Sequence, residues 1–143
     1  MRDYENQLFH KIIELVNNEE PPTIDIDVED DNMLALQFYL TRKLFYAVII
    51  DDYPVEIVDK NSLLEAIYYQ VKLITMHDLN WDAFEEALND ALLNFINFEG
   101  ICLMFKNKST VSKVSKELVI MTDIVSDINK RVQNKRIVLL INK

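Results

Sequence analysis

A chain of 143 residues, half of them apolar and 27% charged, has the size of one domain and can bury a sizeable core. That mix excludes bulk disorder, and no apolar run approaches the roughly 18 residues a membrane-spanning helix needs. A net charge of −9 argues against direct nucleic-acid binding, because affinity for phosphate backbones rests on lysine and arginine. From the N-terminus, Tyr4 to Asn17 carry Leu8, Ile12, Leu15 and Val16 on one stripe, the spacing of an amphipathic helix that ends before Pro21-Pro22. The Glu19 to Asp31 stretch holds seven acids and no base, yet Ile24, Ile26 and Val28 alternate with Asp25, Asp27 and Glu29. That alternation predicts a short, half-exposed edge strand. Asp31 or Asn32 can cap a following helix whose apolar face is Met33, Leu34, Leu36, Phe38, Leu40 and Leu44, although the alternation over Leu34 to Phe38 also suits a strand.

The run Phe45 to Ile50, stopped by Asp51-Asp52-Tyr53-Pro54, has the length and β-branched content of a strand buried on both faces. Asn61 or Ser62 then caps a helix with Leu63, Leu64, Ile67, Tyr68, Val71 and Leu73, and Ser62-x-x-Glu65 has capping-box spacing. Another helix begins near Asn80 and carries Phe84, Ala87, Leu88, Ala91, Leu92 and Phe95 at helical spacing. Gly100 precedes the strand-like run Ile101 to Phe105. A helix with Leu118, Ile120, Met121, Ile124, Val125 and Ile128 follows, and Ile137 to Ile141 closes the chain as a strand. Strands separated by helices of this length imply an α/β fold with a mostly parallel sheet of three to four strands. Residues 1–44 form an N-terminal helix and strand-helix extension packed on a domain of residues 45–143.

Several chemistries lack their residues. One glycine in the whole chain leaves no phosphate-cradling loop, neither a P-loop nor a dinucleotide fingerprint. His10 and His77 are too far apart for a helical ligand pair, and the single cysteine, Cys102, allows no zinc spacing. No strained nucleophile turn is present, so an enzyme is the weaker class and no cofactor or metal is expected. Cys102 lies in an apolar run and reads as a small buried hydrophobe, which suits a reducing compartment. The polar, acidic start Met1-Arg2-Asp3-Tyr4-Glu5-Asn6 is unlike a secretory signal. The expected location is therefore cytoplasmic, away from membranes.

Charge is unevenly placed. Residues 106 to 143 carry nine Lys/Arg against Glu117, Asp123 and Asp127, and residues 1 to 105 carry six against twenty-one. Within the acidic part, Asp78, Asp82, Glu86 and Asp90 recur every four residues, with Glu85 widening the patch and no base interrupting it. Side chains at that spacing share one helix face, where like charges repel by a few tenths of a kcal/mol per pair, roughly. Three readings stay open: a solvated face, a cluster for Mg²⁺ or Ca²⁺ that one helix cannot wrap, and carboxylates that imitate nucleic-acid phosphates for a basic protein. Trp81 is either an exposed anchor for such a surface or a core residue.

The segment Asn80-Trp81-Asp82-Ala83-Phe84-Glu85-Glu86-Ala87-Leu88-Asn89-Asp90 resembles the recognition-helix motif of the barstar family, commonly N-W-D-A-L-W-D-A-L-x-D. Ala47 to Asp51 resembles the family's first strand and turn, Ser62 to Leu73 its first helix, Ile101 to Phe105 its middle strand and Arg136 to Asn142 its last strand. The resemblance implies a barstar-like fold over roughly residues 45–143 and a non-enzymatic inhibitor that plugs the basic active site of a ribonuclease. By position, Asp82 and Glu86 match the two acidic contacts, Asn80 and Trp81 the helix start, and Met76, His77 and Asp78 fall in the preceding contact loop. Glu85 replaces the motif's second tryptophan, Met76 stands where the family has a contact tyrosine, and Asp127 is a further acidic contact. The implied partner is a basic ribonuclease toxin, with the free protein a monomer. The alternative is an acidic interaction module that docks another basic protein.

Overall fold

Four runs of apolar and β-branched residues form the strands: β1 Thr23–Ile26, β2 Phe45–Ile50, β3 Gly100–Phe105 and β4 Arg136–Asn142. The computed structural model describes residues 7, 9–12, 14, 22–72 and 78–143. All strand pairs are parallel, in the order β1-β4-β3-β2. Every residue of β3 and all but the first of β4 are buried, because helices cover both faces of the central strands. Gly100 lets β3 open this close to its neighbour: a Cβ there would lie 2.2 Å from the Arg136 carbonyl oxygen and 2.9 Å from the Phe45 ring.

Helices surround the sheet, among the described residues α1 Asp30–Arg42, α2 Lys60–Gln70, α3 Trp81–Asn94, α4 Lys108–Lys113 and α5 Ser115–Arg131. Residues 7, 9–12 and 14 are helical as well, with Phe9 and Ile12 buried; Leu8, Leu15 and Val16 of the expected stripe lie outside the described residues. Strand side chains alternate between two cores. On one face Met33, Leu36 and Leu40 of α1 join Phe9 and Ile12 against Ala47, Cys102, Met104, Val138 and Leu140. On the other, α2, α3, α4 and α5 bring Leu64, Phe84, Val111 and Met121 against Val48, Leu103, Ile137 and Leu139. The architecture is three layers, with the sheet in the middle. Among the described residues no helix is long and apolar enough to cross a membrane.

Of the residues ahead of β2, Thr23–Ile26 belong to this one sheet as β1. β1 pairs with β4, Ile24 opposite Leu140, and the expected alternation is present, with Ile24, Ile26 and Val28 buried and Asp25 and Asp27 exposed. Three side-chain amides then imitate a neighbouring strand. Asn142, 3% exposed, accepts from Val28 N–H (2.9 Å) and donates to the carbonyls of Val28 (2.9 Å) and Lys106 (3.0 Å). Asn129 pairs with both backbone groups of Ile137, and Gln70 with both of Asp51.

Several local expectations are corrected. The N-cap of α1 is Glu29, not Asp31 or Asn32, and it caps without a side-chain hydrogen bond. Leu34, Phe38 and Leu44 of the expected apolar face are 59%, 67% and 51% exposed, because α1 lies over the edge strand β2 and its outer flank meets no further element among the described residues. α2 begins at Lys60, two residues before Ser62. Its cap is Asp59, whose carboxylate accepts from Ser62 N–H (2.9 Å) while the Ser62 hydroxyl accepts from Asp59 N–H (3.0 Å). The capping box is thus Asp59 with Ser62, not Ser62 with Glu65. α4 was not anticipated, since Lys-Ser-Thr-Val-Ser-Lys has too few apolar residues to show a period.

Candidate protein-binding surface on α3

α3 starts where Asn80 turns its side-chain oxygen to the Ala83 N–H (2.8 Å), and Asp82 in the first turn meets the positive end of the helix dipole. Phe84, Ala87, Leu88, Ala91 and Leu92 are buried. Helical geometry then sends Asp82, Glu86 and Asp90 to the opposite side, where all three are exposed. No hydrogen bond or ion pair to these three side chains is formed among the described residues.

Glu85 and Asn89 lie on the flank of α3 that faces α5, both half-buried. Arg131, in the last turn of α5, donates from Nη2 to Glu85 Oε2 (3.0 Å) and Asn89 Oδ1 (3.4 Å). Glu85 is therefore neutralised within its own chain, and the free stripe is narrower than the sequence suggests. Asp82, Glu85, Glu86, Asn89 and Arg131 line a shallow depression of about 270 Å³. It holds three carboxylates and one guanidinium. Asp127 is exposed one turn before Arg131 on α5, on the same flank of that helix, but is not among the residues that line the depression.

The remaining expected residues divide. Trp81 is half-buried, set edge-on to Phe84 at 5.9 Å and packed against the core; it is neither a free anchor nor a fully buried residue. Asp78 is exposed but precedes the helix, so it does not share the face that its spacing suggested. Its carbonyl accepts from the Tyr68 hydroxyl (3.4 Å) and from Asn80 N–H (2.9 Å). Both bonds hold the approach to the helix. Burial, with the Asp78 charge adding to it, pushes the Tyr68 phenol above its ordinary value. Met76 and His77 lie outside the described residues.

Two features escaped the sequence reading. Leu93 and Ile96 are 55% and 87% exposed at the end of α3, so the acidic face carries an apolar margin. Their signal was available, since neither falls on the Phe84 to Leu92 stripe. Arg131 had no such signal, because only the packing of α5 against α3 brings it to Glu85.

Elsewhere three cations of the C-terminal part, Lys106, Lys108 and Lys143, find other acids. Lys143 pairs with Asp25 (3.1 Å), Lys108 with Asp27, and Lys106 with Asp51 (3.5 Å) and Asp30 (4.0 Å). At the carboxyl ends of β2 and β3, Asn107 also donates to Asp51 (3.2 Å) and Asp52 (2.7 Å), and the Thr110 hydroxyl to Asp52. Burial works to raise the Asp51 carboxyl, but the Asp52 N–H, the Lys106 ammonium and the Asn107 amide together hold it below its usual 3.8. These groups fasten two strand ends to each other. Compared with protein-family models, curated proteins and solved structures, the chain matches none.

Proposed function

We propose that this protein is a non-enzymatic inhibitor, an immunity protein of barstar-like type, that blocks the basic active site of a ribonuclease with the exposed face of α3. The observation that carries this reading is the row Asp82, Glu86 and Asp90, which no cation among the described residues neutralises although several cations pair with acids elsewhere. Carboxylates one turn apart offer arginine and lysine the charge-assisted hydrogen bonds that phosphates would otherwise take. Leu93 and Ile96 support a protein partner over a merely solvated face, since exposed apolar side chains beside charge are a common interface composition. The element order β2, α2, α3, β3, α5, β4 is compatible with the barstar resemblance, with α4 inserted before α5 and β1 and α1 added in front.

Asp82 and Glu86 act as the central contacts, Asp127 and Asp90 as the margin, and Asn80 and Trp81 fix the start of the helix. Glu85 plays a different part: bound by Arg131, it fixes the α3–α5 groove. Opposed potentials speed encounter with a basic cleft and make it salt-sensitive. RNA hydrolysis by a panel of basic ribonucleases, assayed with and without this protein, tests the reading. Stoichiometric loss of activity in at least one enzyme is expected, and a panel untouched by excess protein contradicts it.

A second reading is an acidic module that docks another basic protein. One observation favours it: Glu85 stands where the motif has its second tryptophan, so this α3 carries less aromatic surface than the resemblance implies. Binding to a basic protein without nuclease inhibition would select that reading.

A further inference from the structure

Where this sheet leaves backbone open, a side-chain carboxamide fills it. Gln70 donates from Nε2 to the Asp51 carbonyl (2.7 Å) and accepts from Asp51 N–H (3.1 Å), and Asn129 meets Ile137 by the same two points (2.9 and 2.7 Å). One place is left over. β2 is an outer strand of the sheet, and successive residues of a strand direct N–H and C=O to opposite sides. The Leu44 carbonyl turns inward to Glu99 N–H (2.7 Å), whereas the Ala47 carbonyl turns outward to Gln37 Nε2 (3.0 Å) and Asp51 turns outward to Gln70. Ile49, between them, faces outward too, and its N–H and C=O have no partner among the described residues.

The gap between Ala47 and Asp51 is one residue long. A peptide strand laid there would also need the outward groups of Ala47 and Asp51, and Gln37 and Gln70 already engage those. What Ile49 can take is a single planar group with a donor and an acceptor side by side, the arrangement that Gln70 presents to Asp51 two residues further on.

Ile49 lies in the wall of a cavity of about 460 Å³, a volume in the usual range of small-molecule sites. Leu34 of α1, Tyr69 of α2 and Tyr53 just after β2 also line it, and all three are exposed, so an aromatic ring would find both aliphatic and aromatic surface there. The charged lining balances. Asp30 and Asp51 supply two carboxylates and Lys72 and Lys106 two ammonium groups; Lys106 lies 4.0 Å from Asp30 and 3.5 Å from Asp51, and Lys72 sits over the Tyr69 ring at 4.8 Å. With no net charge in its walls, the cavity suits an uncharged ligand.

We propose that this cavity binds a small, uncharged aromatic amide, either a primary carboxamide or a cyclic lactam. Its carbonyl accepts from Ile49 N–H, its N–H donates to the Ile49 carbonyl, and its ring lies against Leu34 and Tyr69. α3 contributes nothing to the cavity, so the site goes beyond the inhibitor reading and does not depend on it.

Proton–nitrogen correlation NMR of the full chain is the test, with benzamide as the carboxamide probe, 2-pyridone as the lactam probe, and methyl benzoate, which keeps the planar ring and carbonyl but has no N–H to donate. Benzamide or 2-pyridone is expected to move the Ile49 amide signal saturably at about millimolar concentration, the strength of a fragment-sized ligand, and the tighter of the two names the kind of amide. Methyl benzoate is expected to bind at least about fivefold more weakly than benzamide, the equivalent of one hydrogen bond. The Leu34→Ala/Tyr69→Ala double variant, changed only at exposed sites, is expected to weaken the tighter probe by at least about the same factor, since it removes the apolar walls. An Ile49 signal that neither amide moves, methyl benzoate bound as well as benzamide, or a double variant that binds as well as the parent overturns the proposal.

Discussion

Asn142 shows how much one side chain can do when it stands in for a missing strand. From the end of β4 its amide completes hydrogen bonds just past the ends of β1 and β3 at once, in a place with almost no access to water. Replacing it with alanine leaves a donor and two acceptors of the backbone without partners. Each unsatisfied buried group costs about 1–3 kcal/mol, so Asn142→Ala is expected to lower unfolding free energy by about 3 kcal/mol. Urea titration would show this as a lower midpoint at unchanged slope. Cys102 makes the opposite case, a polar-capable group used as a hydrophobe. It is fully buried, and burial alone drives its thiol well above the ordinary value. A thiol-specific reagent should label it only at the rate of unfolding, and rapid labelling of the native protein would contradict this placement.

At the scale of elements, the sequence was most legible where burial imposes a period. Ile24, Ile26 and Val28 alternate because one face of β1 is covered, and Phe84 to Leu92 recur because one face of α3 meets the sheet. Where burial is slight, the signal vanishes. α4 buries only Thr110 and Val111, and its start is indistinguishable from a loop. Helix starts were misplaced for a related reason, because several polar residues in a row can each cap and only backbone geometry selects one. The α2 cap carries a pH dependence with a definite sign. The Ser62 N–H and hydroxyl hold the Asp59 carboxyl below its usual 3.8, so the cap stabilises α2 fully above that value and is lost as pH falls through the lower folded-state value. Stability should therefore decline at acid pH, and Asp59→Asn, which keeps an acceptor but cannot titrate, should flatten that part of the curve. Equal acid sensitivity in parent and variant would remove Asp59 as a contributor.

Over the whole molecule, the charge separation visible along the sequence is largely undone by folding. The parallel order β1-β4-β3-β2 lays β4 beside the acidic β1, so Lys143, just past β4, meets Asp25, and Lys108 at the start of α4 meets Asp27. Such surface pairs contribute little to stability. Their consequence is distribution: cations are drawn to the β1 edge and the strand ends, and Arg131 reaches only the flank of α3. Sequence alone located the acidic row but had no means of telling which carboxylates would be taken, since that depends on how α5 packs beside α3. What remains exposed is Asp82, Glu86 and Asp90, and the functional reading rests on them.

The most direct test of that reading is a calorimetric titration of the parent and the Glu86→Ala variant into the basic ribonuclease that the panel identifies. If the row binds where phosphates would, Glu86→Ala should weaken association about 30-fold or more, the equivalent of about 2 kcal/mol at a central contact, with the thermal midpoint of the free protein unchanged. Equal affinity of parent and variant would contradict the account, and the row would then be only a solvated face.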